Sequence, residues 1–95
     1  MQALIDPRVT DIQYVSSWDE VTITKNGVST TTWEPVMSTY PNSARVCQVE
    51  NDNSIFPIAE PLFWTDCPDE TVADRWYYNT DTKTINQIVD TEIGN

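Results

Sequence analysis

The feature that most restricts this chain is the dipeptide Asn26-Gly27, set between Val21-Thr22-Ile23-Thr24-Lys25 and Val28-Ser29-Thr30-Thr31-Thr32-Trp33. A two-residue type I′ turn needs positive φ at both central positions, and Asn-Gly is one of the few pairs that adopt it readily. The flanks alternate and are rich in β-branched residues, so they read as the two strands of a hairpin. With Lys25 opposite Val28, Ile23 faces Thr30 and Val21 faces Thr32 on one side, and Trp33 lies on the other. The chain has only two glycines, and one of them stands here.

The rest of the sequence uses the same vocabulary. Helical periodicity is absent, and thirteen threonines are spread along the chain, so strands are expected throughout. A second hairpin is expected from residues 45–50 through the turn 51–54 into 55–60, pairing Val49 with Phe56, Cys47 with Ile58 and Arg45 with Glu60. Pro57 would make its second strand an edge at that point, or else point its missing N–H away from the neighbouring strand. A third joins residues 75–79 to 83–88 across Thr80-Asp81-Thr82. The run 61–66 reads as a buried strand, 68–73 as a short helical turn opened by Pro68, and 8–15 as a further strand. Residues 34–43, with Pro35 and Pro41, read as a loop, and the tail after Val89 as frayed. At 95 residues there is room for one core. The expectation is a single all-β domain over 1–95, a small antiparallel β-sandwich or barrel-like fold of hairpins with at most one short helical turn. Residues 1–7 and 90–95 are expected to be flexible or assembly-ordered termini.

Fifteen acids stand against five bases and no histidine, a formal charge of −10. That charge disfavours nucleic acid and anionic membrane as partners, because both would repel it. It suits either plain solubility or a basic or divalent-cation partner. The start of the chain has three consecutive apolar residues before Asp6-Pro7, without the basic residues and longer apolar stretch of a secretion signal. Synthesis in a cytoplasm is therefore expected, with Cys47 and Cys67 as reduced thiols and a disulfide as the less favoured alternative.

Without histidine, the commonest general base and metal ligand is missing, and neither a Ser-His nor a Cys-His nucleophile can form within the chain. No glycine-rich phosphate loop and no zinc-ligand spacing occurs. No enzyme, no cofactor and no catalytic residue is expected. The tightest acidic cluster, Asp66, Asp69, Glu70 and Asp74, is a weak metal candidate, since it lacks the glycine and alternation of a calcium loop. Turn capping and solvation account for it as well. The aromatics are more informative. Trp76, Tyr77 and Tyr78 are consecutive on one strand and cannot all point inward. With Trp33 and Trp18 they are the candidate protein-interface residues, and flat rings on a sheet could equally stack on sugars.

The segments Cys47-Gln48-Val49-Glu50, Ile55-Phe56-Pro57-Ile58-Ala59, Pro61-Leu62-Phe63-Trp64-Thr65-Asp66-Cys67, Val72-Ala73-Asp74-Arg75-Trp76-Tyr77-Tyr78 and Thr84-Ile85 together resemble small structural proteins of tailed bacteriophages, especially phages of cyanobacteria. The resemblance covers about the second half of the chain and supplies no catalytic or ligand residue. It implies a virion component, most concretely a capsid decoration or cement protein attached to the major capsid protein, with other virion proteins and copies of itself as partners. Aromatic anchors on the hairpins 44–60 and 75–88 would make the contacts. The alternatives are a tail or fibre-associated glycan-binding module and, ranked last, an acidic DNA-mimic inhibitor. The last needs negative charges in phosphate-like rows, whereas Arg8, Lys25, Arg45, Arg75 and Lys83 are scattered among the acids.

Overall fold

The computed structural model describes residues 1–93. Its strands are β1 (Gln2–Thr10), β2 (Gln13–Lys25), β3 (Val28–Thr39), β4 (Ser43–Glu50), β5 (Phe63–Asp66), β6 (Trp76–Asn79) and β7 (Thr84–Gln87). Five of them form an antiparallel sheet in the order β5-β1-β4-β6-β7, curled into a half-barrel; β2 and β3 form a separate two-stranded sheet. The all-β, hairpin-built expectation describes this fold. The short helical turn over 68–73 does not form. In its place, Thr71 N–H donates to the Pro68 carbonyl and Arg75 N–H to that of Val72, giving isolated turns.

The amino-terminal segment corrects an expectation. Residues 1–7 are expected to be a flexible or assembly-ordered terminus, yet within this one chain Ala3, Leu4 and Ile5 are buried in β1, an interior strand of the larger sheet. Three apolar residues suffice because β1 is flanked on both sides, so each of its residues removes water from two neighbours at once. The core unites Ala3, Ile5, Ala44, Val46 and Tyr78, with Val49, Phe63, Cys67, Trp76 and Ile85 packed around them. A bulge makes that face continuous. Leu4 pairs with Gln48 and Ile5 with Val46, so Cys47 is passed over, and Val46 and Val49 come to share one side although three apart in sequence.

The hairpin expected over 45–60 does not form. β4 is paired with β1 on one side, and on the other β6 takes Ser43–Arg45 and the Asp74 N–H donates to the Val46 carbonyl, so the inner half of the edge that residues 55–60 needed, including the Arg45–Glu60 pair, is already occupied. Those residues form an irregular, mostly exposed segment containing Pro57 and ending at a cis Glu60-Pro61 bond; prolines without N–H groups cannot sustain a ladder there. Residues 61–66 do contain a strand, β5, but as a half-buried edge rather than a buried interior strand. The third hairpin forms, but its connection takes in Lys83 as well as Thr80-Asp81-Thr82, so Asn79 stands opposite Thr84, Tyr78 opposite Ile85 and Tyr77 opposite Asn86, one residue on from the register a three-residue connection would give.

Between β1 and β4, themselves antiparallel neighbours, the chain makes a long excursion as β2 and β3. The strand read over 8–15 is thereby split at Asp11, whose φ of 58° ends β1. The loop read over 34–43 is mostly β3. Pro35 is tolerated because a ribbon of two strands leaves each strand one open edge, where a missing N–H costs nothing. The excursion sets the shape: the molecule measures 61 × 21 × 21 Å, with a radius of gyration of 18.0 Å, against about 12 Å for a compact domain of this length.

Candidate functional site

The β2–β3 ribbon is an arm standing out from the five-stranded body. Its tip is the Asn26-Gly27 turn, with φ of 53° and 77°, and its register follows from that turn: Lys25 opposite Val28, Ile23 opposite Thr30, Val21 opposite Thr32, and so on to Asp19 opposite Glu34 and Trp18 opposite Pro35. From Thr22 to Pro35 every residue is exposed. A lone two-stranded ribbon is marginal in water, so what fixes this one matters.

The root of the arm is anchored in three ways. The Ser43 hydroxyl, buried, accepts the Ile12 N–H at 2.8 Å and donates to the Tyr40 carbonyl at 2.8 Å, closing the two ends of the excursion together. The Tyr40 ring then lies between Tyr14 of the arm and Tyr77 of the body, with centroids 4.2 Å away on either side. Stacked rings at this spacing favour one another beyond simple burial. Burial, and after it the neighbouring Tyr40 and Tyr14, push the Tyr77 phenol above its ordinary value. Finally, the tail straps the outer edge of β2. Val15 N–H donates to Asp90 at 2.7 Å, Thr91 N–H donates to the Val15 carbonyl at 2.8 Å, and the Trp18 indole N–H donates to the Thr91 carbonyl at 2.6 Å. Residues 90–91 are therefore docked and not frayed; Gly94 and Asn95 lie outside the described residues. The strap sits at the bulge where Ser16 is passed over between the Val15–Met37 and Ser17–Val36 pairs, and Thr91 also donates to the Ser16 carbonyl.

The arm has two different faces. One carries Lys25, Val28, Ile23, Thr30, Val21, Thr32, Asp19 and Glu34. The other carries a hydroxyl ladder near the tip, with Thr24 and Ser29 oxygens 3.0 Å apart and those of Thr22 and Thr31 3.4 Å apart. Nearer the root the same face presents Trp33, Trp18, Pro35 and Met37.

Of the five aromatics singled out from the sequence, only Trp33 is an exposed anchor, 44% accessible. Trp18 is half-buried under the tail strap. Trp76, Tyr77 and Tyr78 are not free, which corrects the expectation that their strand carries surplus surface. Trp76 and Tyr78 face the core, Tyr78 meeting Phe63 edge-on at 5.4 Å, and Tyr77 is covered on the opposite face by Tyr40. The acidic cluster also disperses. Asp74 takes Arg45 in a two-pronged pair at 2.7 and 3.1 Å, Asp66 accepts from Gln2, Asp69 lies toward the Met1 amino group, and Glu70 is exposed. No three acids, cysteines or histidines converge on a cation position among the described residues. Cys47 and Cys67 are free thiols, and burial pushes that of Cys47 up, away from thiolate chemistry. No cavity opens among the described residues.

The sequence reading missed Tyr14, Tyr40, Asp19 and Glu34. The two acids could have been found by running the Asn-Gly register six steps down the arm. The tyrosines carry no such local signal. Comparison with protein families, with characterised proteins and with solved structures yields no match.

Proposed function

We propose that this chain is a non-enzymatic structural module that attaches to another protein through the β2–β3 arm. The observation carrying this reading is the arm itself: twelve or more residues per strand projecting from an anchored root, with Ile23, Val28, Trp33 and Met37 left exposed. Exposed apolar residues on a projecting, fixed scaffold are the ordinary means of protein attachment. The resemblance of the second half of the chain supplies the setting, a tailed-phage particle, with the major capsid protein as partner and a decoration or cement role.

Mass spectrometry of purified particles tests the setting, with the chain expected at a copy number that tracks the capsid; its absence overturns the virion assignment. Replacing residues 18–35 by a short Asn-Gly hairpin tests the mode of attachment. The body is expected to fold, judged by its near-ultraviolet dichroism, and to lose particle binding. Retained binding by a folded armless chain overturns the role of the arm.

A further inference from the structure

In this acidic chain the outer arm is an exception: between Val21 and Trp33 there is no acid and one base, Lys25. At the inner end of the same face, Asp19 and Glu34 stand directly opposite each other. Like charges in that position repel, and among the described residues neither carboxylate is held by a base, nor is Lys25 held by an acid. Between these ends lies an apolar, β-branched stretch, Val21, Ile23, Val28, Thr30 and Thr32, in which Ile23 is 58% and Val28 65% accessible.

We infer that this face is self-complementary, and that two copies of the chain pair arm against arm, face to face and antiparallel, each Lys25 meeting the Asp19–Glu34 pair of the other. A two-fold axis lying between the sheets and across the strands, midway between the Ile23–Thr30 and Val21–Thr32 pairs, performs this match. It sets Ile23 and Thr30 of one copy over Val21 and Thr32 of the other, and Lys25 over Asp19. An isologous contact requires this kind of reversal, with base at one end, acid at the other and an apolar centre. The tip of each arm stops at the Trp18 level of its partner, the outer limit of the anchored root, and lies on the face away from the Trp18 ring. Face-to-face sheets about 10 Å apart accommodate such side chains. The patch is two strands wide and about 20 Å long from Asp19 to Lys25 at about 3.4 Å per residue. That is small for an interface, so a dissociation constant of about 10–100 µM is expected, tightening at low salt. The inference does not depend on the virion setting, and it leaves the opposite face of the arm, with Trp33 and Met37, for the attachment proposed above.

Sedimentation equilibrium over a concentration series tests it. Wild type is expected to pass from monomer to dimer. Lys25→Glu alone, and Asp19→Lys with Glu34→Lys alone, are each expected to weaken dimerisation by about tenfold or more. An equimolar mixture of the two variants restores opposite charges at both ends of a heterodimer, at one end with the signs exchanged and at the other as in wild type, so it is expected to dimerise like wild type. All three positions are exposed, and near-ultraviolet dichroism checks that the body is intact. A wild type that stays monomeric to about 500 µM overturns the inference. So does a dimer indifferent to the single variants, or a mixture that fails to recover.

Discussion

The body and the arm are built from the same strand-forming residues, yet they are held by different physics. In the body, Ile5 and Val46 are fully buried and the pairings join residues far apart in sequence, so each strand exists because its neighbours cover it. In the arm, the strands exist because Asn26-Gly27 turns the chain back on itself and cross-strand pairs follow one after another. Burial there is slight and is confined to the root. Strand structure made by local pairing leaves surface free, and that freedom makes the arm available to a partner.

The contrast can be broken most forcefully in the body. Ile5→Ala is expected to cost about 2–5 kcal/mol, because a fully buried aliphatic side chain leaves a cavity, and urea unfolding measures it. Tyr40→Ala removes the ring that joins arm to body and is expected to cost about 1–3 kcal/mol. Its particular signature is a broadened distance between spin labels on the tip and on β6; an unchanged distribution would show that the Ser43 clamp and tail strap fix the arm unaided. Gly27→Ala should cost about 1 kcal/mol. Nothing lies within 4 Å of the added Cβ, so the whole effect comes from the φ of 77°. It should raise amide exchange in the arm while leaving β1 and β4 protected.

Acid titration separates the two regions more gently. The Arg8 guanidinium holds the Asp6 carboxyl below its ordinary 3.8, and Arg45 does the same for Asp74. Both carboxyls release their protons more readily in the folded chain. Their contribution is therefore complete above about 4 and is lost as pH falls through the lower folded values. Melting temperature should decline from pH 4 towards 2, and Asp74→Asn should flatten part of that decline. The smallest effect should come from Ile23→Ala, expected within about 0.5 kcal/mol of wild type because its side chain faces water in the monomer. A larger loss would mean that the arm face is already covered.

What could be read in advance follows the same division. The arm's outer register and the β6–β7 hairpin were legible, because a turn and its two flanks lie within a dozen residues. The β1–β4 pairing was not, because Leu4 and Gln48 are brought together across the whole excursion, and the sequence near Ala3-Leu4-Ile5 is too short to announce a central strand. The 45–60 hairpin failed for the complementary reason. Its local alternation is sound, but β6 and the Asp74 N–H take the Ser43–Val46 half of the edge of β4 away from β1, and tertiary competition overrides local pattern. Trp76-Tyr77-Tyr78 reads as partly surface because alternation alone gives a strand one buried face. Tyr40, arriving from the end of the excursion, covers the second.

The place of the arm in the chain has one more consequence. Because β1 and β4 are partners in their own right, everything between Asp11 and Asn42 is an elaborated hairpin connection, and its length is independent of the core. Deleting one residue from each strand would draw the tip in by about 3.4 Å and exchange its two faces, while deleting two from each would draw it in by about 7 Å and restore them. The chain thus carries a ruler graduated in steps of about 7 Å, on which evolution or an engineer can set the distance between an anchored body and whatever the tip must reach.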